Sequence, residues 1–90
     1  MAEKNLTPVQ FDKKMFVKGV LADMLKAAYN CANTINDVTY AVDTYGNERV
    51  YVELDPAIEG GLGRVIVINV TGDSLSAIVT DVVRVMNDKY

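Results

Sequence analysis

The sequence predicts one α+β domain with the element order α-β-β-β-α, a three-stranded antiparallel sheet with both helices packed on one face. Three observations predict this class: apolar residues recur at helical spacing toward both ends of the chain, two central segments alternate apolar and polar residues, and an apolar run follows a glycine-rich connection. The length of 90 residues fits a single domain over residues 1–90. The polar residues 1–6 are expected to be disordered.

The first helix is predicted at about residues 8–34. Thr7 can cap it, Pro8 suits the first helical position, and Gln10 can reach back to the cap. Gly19 costs about 1 kcal/mol inside a helix, which a close packing contact would explain. The predicted apolar stripe consists of Val17, Leu21, Met24, Ala28, Cys31 and Ile35, widened by Phe11, Phe16 and Val20. The lysines mixed with acids along this helix, Lys13 among them, are expected to form a solvated face.

Two strands follow and form a hairpin. Residues 37–44 and 48–54 alternate apolar and polar side chains, which predicts two strands with one buried face each. Between them, Tyr45-Gly46-Asn47 fits a three-residue loop that keeps both apolar sets on one face, with a left-handed backbone at Asn47. This register opposes the pairs Val42–Val50, Tyr40–Val52, Val38–Leu54 and Asp43–Arg49. A five-residue loop keeps the same face and is the alternative.

The third strand, residues 64–70, is apolar on both faces, as in a strand that is covered on two sides. In a simple meander this strand lies at an edge, yet residues 65–70 carry no charge or proline that would block edge pairing. Either the strand order differs, or a second copy or another partner covers the strand. We therefore expect a homo-oligomer, with a dimer as its simplest form, whose interface contains Val65, Val67 and Asn69.

A second helix follows the turn Thr71-Gly72-Asp73-Ser74, in which Asp73 or Thr71 can cap it. Its apolar positions have helical spacing, although several of them are β-branched. They are Leu75, Ile78, Val79, Val82, Val83 and Met86.

Composition makes an enzyme improbable. The chain has no histidine and one cysteine, Cys31, which excludes a Ser-His-Asp triad, a Cys-His pair, most metal sites and an internal disulfide. We predict no metal and no cofactor. The N-terminus lacks the layout of a secretory signal and no apolar run is long enough to cross a bilayer, so a cytoplasmic location without a membrane partner is expected. The lysines form no dense basic patch, which disfavours nucleic acid.

The segment Ile68-Asn69-Val70-Thr71-Gly72-Asp73-Ser74-Leu75, followed by Asp81-Val82-Val83, resembles the C-terminal part of small accessory proteins encoded by bacteriophages and prophages. The resemblance is confined to the C-terminal third and contains no catalytic motif. It implies a small non-enzymatic protein that acts on a host or phage target. Such proteins include inhibitors of bacterial defence systems and binders of small nucleotides.

These observations predict a small non-enzymatic interaction protein that is homo-oligomeric and binds a partner protein. Exposed tyrosine and arginine favour protein contact, and Tyr45, Arg49 and Tyr51 of the hairpin are the predicted contact residues. The alternative is a module that sequesters a small anionic molecule or nucleotide at a subunit interface, with Arg64, Thr71, Gly72 and Ser74 as its ligand-binding residues. A hydrolase with paired carboxylates is the remaining alternative; it would need one carboxyl pKa raised toward neutrality.

Overall fold

The computed structural model of the protein describes residues 6–28, 35–54 and 64–89. A first helix consists of α1 (Pro8–Phe16), a π-helical segment (Val17–Leu21) and α2 (Ala22–Ala28); β1 (Ile35–Val42), β2 (Glu48–Leu54), β3 (Arg64–Asn69) and α3 (Leu75–Lys89) follow. The strands form one antiparallel sheet in the order β1-β2-β3. The predicted α+β class and the meander are confirmed, and β3 lies at an edge. Of the N-terminal residues predicted to be disordered, residues 1–5 lie outside the described residues, whereas Leu6 packs against the core.

The start of α1 is the predicted capping box. Thr7 Oγ1 accepts a hydrogen bond from the Gln10 N–H (3.1 Å), and the Gln10 side chain accepts one from the Thr7 N–H (3.0 Å). Pro8 occupies the first helical position. Because these contacts are local, the sequence was sufficient to predict them.

The buried face of the first helix differs from the predicted stripe. Leu25 and Ala22 are buried, whereas Met24 is 39% exposed and Val20 is 60% exposed. A π-helical turn holds more residues than an α-helical turn, so the segment Val17–Leu21 rotates the residues after it by about one position. Also exposed are Phe11 and Ala28. Gly19 is exposed and its position has open space around it, so no close contact explains it.

The predicted apolar stripe of the first helix extends too far along the chain. Ile35, predicted as the last residue of its stripe, is the first residue of β1. Residues 29–34, with Cys31, lie outside the described residues.

The hairpin has the alternative register, with a five-residue loop, Asp43 to Asn47. Tyr40 pairs with Val50 and Val42 pairs with Glu48, so the three-residue loop is wrong by two residues although the buried face is as predicted. Gly46, at φ +84°, takes the left-handed position instead of Asn47. Asp43 and Arg49 still form an ion pair (3.1 Å), but Asp43 lies in the loop and Arg49 pairs with Ala41.

Both helices and one face of the sheet share a single hydrophobic core, which confirms the predicted layers. Its members are Val17, Leu21, Ala22 and Leu25 of the first helix; Ile35, Val38, Tyr40, Val42, Val50, Val52, Leu54, Ile66, Ile68 and Val70 of and beside the sheet; and Ile78, Val82 and Met86 of α3. Ser74 caps α3 by accepting from the Ala77 N–H (3.3 Å), so the prediction that Asp73 or Thr71 is the cap is wrong.

Candidate functional site

The sheet has a second face that none of the described helices covers. Alternate residues of the three strands place their side chains on it, and the pairing registers bring these side chains into rows. We call this surface the open face and define it by Thr39, Ala41, Arg49, Tyr51, Glu53, Val65, Val67 and Asn69.

Residues from both predicted contact surfaces lie on the open face. Tyr51 pairs with Val67 of β3, and Arg49 pairs with Asn69. The predicted partner-binding residues of β2 and the predicted oligomer residues of β3 are therefore neighbours. Sequence reasoning had assigned them to two surfaces.

The open face of β3 is apolar and exposed. Val65 is 52% exposed and Val67 is 51% exposed, whereas Ile66 and Ile68 on the other face are buried. The prediction that β3 is covered on two sides is therefore wrong for the described part of a single chain. Side chains that pack only on one side leave apolar surface in water, which is unfavourable unless something covers it.

The hairpin loop presents Tyr45, which is 89% exposed. The Asp43 carboxylate organises this loop by accepting from the Tyr45 N–H (2.8 Å), the Asn47 N–H (3.0 Å) and side chain (3.1 Å), and Arg49. Partial burial alone would raise the pKa of Asp43, but these hydrogen bonds outweigh burial and lower it. The Tyr45 backbone is thus held at the tip of the loop by the Asp43 carboxylate, which also pairs with Arg49.

The two edges of the sheet differ in protection. Residues along a strand direct their backbone N–H and C=O groups to alternate sides. The Val70 N–H donates to the Glu48 C=O (2.9 Å), so the backbone groups of Val70 point toward β2. By alternation, the N–H and C=O groups of Val65, Val67 and Asn69 point away from β2, toward the outer edge of the sheet. Within the described segments, none of these three edge positions has a backbone partner there.

At the β1 edge, two features hinder pairing with another strand. The outward N–H of Val38 is bound by the Asp37 carboxylate (2.9 Å), and the pairing is irregular between Ile35 and Asp37. Charged side chains and bulges at a strand edge are devices that block edge pairing. Residues 65–69 of β3 carry no charge, and their pairing with β2 is regular.

Sequence reasoning missed a buried polar cluster between the helices and the sheet. Lys13, predicted to be solvated, is buried, and its ammonium donates to Glu48 (2.7 Å), which is buried as well. The Tyr40 hydroxyl donates to the same carboxylate oxygen, and the Gly72 N–H donates to the other (2.8 Å). Burial would raise the pKa of Glu48, but the bonds from Lys13, Tyr40 and Gly72 lower it. Burial, and then the bond to Glu48, raise the pKa of Tyr40.

A pair of acidic residues, Asp73 and Asp81, lies beside this cluster. Asp73 Oδ2 is buried without a hydrogen-bond partner. The neighbouring Asp81 carboxyl raises the pKa of Asp73, because a protonated Asp73 can share a hydrogen bond with it. Burial and the like charge of Asp81 act in the same direction. Asp81 is itself paired with Arg84. The helical spacing of Asp81 and Arg84 was visible in the sequence, but their approach to Asp73 depends on the turn before α3.

The predicted anion-binding residues are largely engaged within the chain. The Gly72 N–H binds the Glu48 carboxylate, Thr71 Oγ1 accepts from the Glu48 N–H (2.9 Å), and Ser74 caps α3. Arg64 begins β3 and Thr71 follows its end, so their backbones are about 20 Å apart in one chain. Only a second subunit could bring an arginine at position 64 to this turn.

Among the described residues, no group of three or more acidic, cysteine or histidine side chains is arranged to hold a metal ion. In the same part of the chain, no helix is both long and apolar enough to cross a membrane. No protein-family model matches the chain, and no curated protein and no solved structure is significantly similar to it.

Proposed function

We propose that this chain is a small non-enzymatic interaction protein that self-associates and binds a partner protein through its open face. The observation that carries the proposal is the position of Tyr51 and Arg49 beside the half-exposed Val65 and Val67. Tyrosine and arginine are enriched where proteins bind one another, and apolar neighbours provide the desolvated centre that such contacts need.

The geometry supports this function better than the anion-binding alternative. At the 71–74 turn, the backbone donor that an anion would use already binds Glu48. The buried carboxylate of Glu48, which accepts this hydrogen bond, also repels a phosphate. The resemblance to bacteriophage accessory proteins adds the hypothesis that the partner belongs to a host or defence system.

A photo-crosslinking phenylalanine analogue in place of Tyr51 tests the proposal in cells that produce the protein. The matched control is the same analogue in place of Thr80, which is exposed on α3 in the opposite layer. We expect a discrete product with one other protein from position 51 and none from position 80. The same products from both positions, or products between copies of this chain alone, would contradict binding of a different protein through the open face.

The partner found in this way is then purified and its affinity measured. We expect Arg49→Ala with Tyr51→Ala to raise the dissociation constant by roughly tenfold or more, because buried arginine and tyrosine contacts dominate such interfaces. Thr80→Ala serves as the matched control. An unchanged dissociation constant for the double variant would refute the proposed surface.

A further inference from the structure

We infer that the free edge of β3 pairs antiparallel with β3 of a second copy, in the register that places Val67 opposite Val67 of the second copy. This inference rests on the self-association proposed above and gives it a location and a register. It is carried by the outward backbone groups of Val65, Val67 and Asn69, for which the described residues supply no partner.

The occupant of this edge is a second copy because the edge is complementary to itself. Three alternate residues direct N–H and C=O groups outward, and Val67 is the middle one. A two-fold axis at Val67 places Val65 opposite Asn69 of the second copy, and Asn69 opposite Val65 of the second copy. All three positions then form backbone hydrogen bonds between the copies. A shift by two residues in either direction leaves one of the three outside the pairing.

Charge favours the same location. Each chain carries a net charge of −3, so two copies repel each other through most of their surface. Residues 65–69 are uncharged, and a contact there brings no like charges together. The β1 edge, where the Asp37 carboxylate binds the Val38 N–H, would place one carboxylate from each copy near the contact.

The pairing would also enlarge the open face. In the proposed register, Tyr51 and Val67 of each copy lie in one row across a six-stranded sheet. With strands about 4.8 Å apart, the two Tyr51 backbones are separated by about 14 Å, with both Val67 side chains between them. A partner protein would thus meet one continuous apolar row contributed by both copies.

Cysteine pairs test the register in a Cys31→Ser background, since Cys31 is the one cysteine of the sequence. Residues directly opposite each other have Cα atoms about 5.5 Å apart, within reach of a disulfide. We expect Val67→Cys to form a disulfide-linked dimer on mild oxidation. Val65→Cys and Asn69→Cys should each remain monomeric on the gel but should link when mixed. A Thr39→Cys variant, on the same face but at the other edge, should not link.

Native mass spectrometry with a charge variant tests the edge itself. We expect the wild type to be dimeric and Val67→Lys to be monomeric with an unchanged circular dichroism spectrum, because a lysine blocks strand pairing. Thr39→Lys makes the same charge change on the same face at the β1 edge and should leave the dimer intact. In the dimer, the amide protons of Val65, Val67 and Asn69 should exchange slowly, and Val67→Lys should make them exchange fast.

The outcomes separate the two proposals. A wild type that is monomeric at its highest soluble concentration overturns both the self-association and this inference. A dimer in which Val65→Cys links to Val67→Cys, while Val67→Cys alone does not link, overturns the register and leaves self-association standing. A dimer that Thr39→Lys dissociates and Val67→Lys does not overturns the edge assignment.

Discussion

At the scale of single residues, the buried pair of Lys13 and Glu48 joins three elements of the fold. The Glu48 carboxylate receives bonds from α1, from β1 and from the turn before α3. It therefore ties both helices to the sheet. Removal of one partner leaves the other charge buried and uncompensated, which costs far more than an exposed ion pair contributes.

Glu48→Gln and Lys13→Met should each lower the free energy of unfolding by about 3–5 kcal/mol, because each leaves one buried charge without its partner. The double variant should lose less than the sum of the two, since neither charge then remains. Urea denaturation of the four proteins measures the coupling. Additive losses would mean that the two side chains do not act as a pair.

Asp73 should destabilise the fold at neutral pH. Its pKa is raised in the folded protein by Asp81 and by burial, so its protonated form favours folding, and this contribution is lost as the pH rises through the raised pKa. Glu48 and Asp43, whose pKa values are lowered, behave oppositely: their contributions exist above the ordinary carboxyl pKa and are lost as the pH falls.

Asp73→Asn should accordingly raise stability at pH 7 and have less effect at about pH 4, near the ordinary pKa of a carboxyl group. Asp73 Oδ2 has no hydrogen-bond partner in the native protein. The amide of an asparagine at this position can donate a hydrogen bond to the neighbouring Asp81. Urea midpoints at both pH values measure the effect. Asp23→Asn, an exposed position in α2, controls for the change in net charge. An equal gain at both pH values would exclude titration of Asp73 as the cause.

At the scale of elements, substitutions at Gly19 and Gly72 distinguish the effect of backbone conformation on stability from the effect of packing. An added Cβ meets nothing within 4 Å at Gly19 or at Gly72, but only Gly72 has a positive φ, +78°. Gly19→Ala should stabilise the protein by about 0.5–1 kcal/mol because it restricts the unfolded chain. Gly72→Ala should destabilise it by about 1–2 kcal/mol, since L-residues disfavour the left-handed region. Thermal unfolding distinguishes the two, and a shift of the same sign in both would contradict this explanation.

The elements themselves were predictable from the sequence where their causes are local. The capping box at Thr7, the strand alternation and the spacing of α3 depend on neighbours in the chain. The π-helical turn at Val17–Leu21 has no such local signal, and it changed which residues of α2 are buried. The loop register likewise depended on Asp43, whose carboxylate stabilises a five-residue loop through bonds that alternation alone does not encode.

At the scale of the whole molecule, the candidate site was only partly predictable. Val65, Val67 and Asn69 followed from the apolar edge strand, and Tyr51 from its position on the outer face of β2. These residues form one surface because of the pairing register between β2 and β3. That register could not be predicted, because the sequence does not define the length of the connection between the two strands. The buried cluster at Glu48 was missed because its members are far apart in the chain, and a lysine on a helix is normally solvated.

Self-association should strengthen with salt. The proposed dimer carries twice the chain's net charge of −3, that is −6, and its contact through residues 65–69 contains no ion pair that salt could weaken. Added salt screens the repulsion between the two chains over the Debye length, so the dissociation constant of the dimer should fall by roughly a few-fold between low and physiological ionic strength. Sedimentation equilibrium at two salt concentrations measures this, with Thr39→Lys as a variant whose smaller net charge should reduce the dependence. A dissociation constant that rises with salt would instead indicate an interface of opposite charges, which the uncharged β3 edge cannot provide.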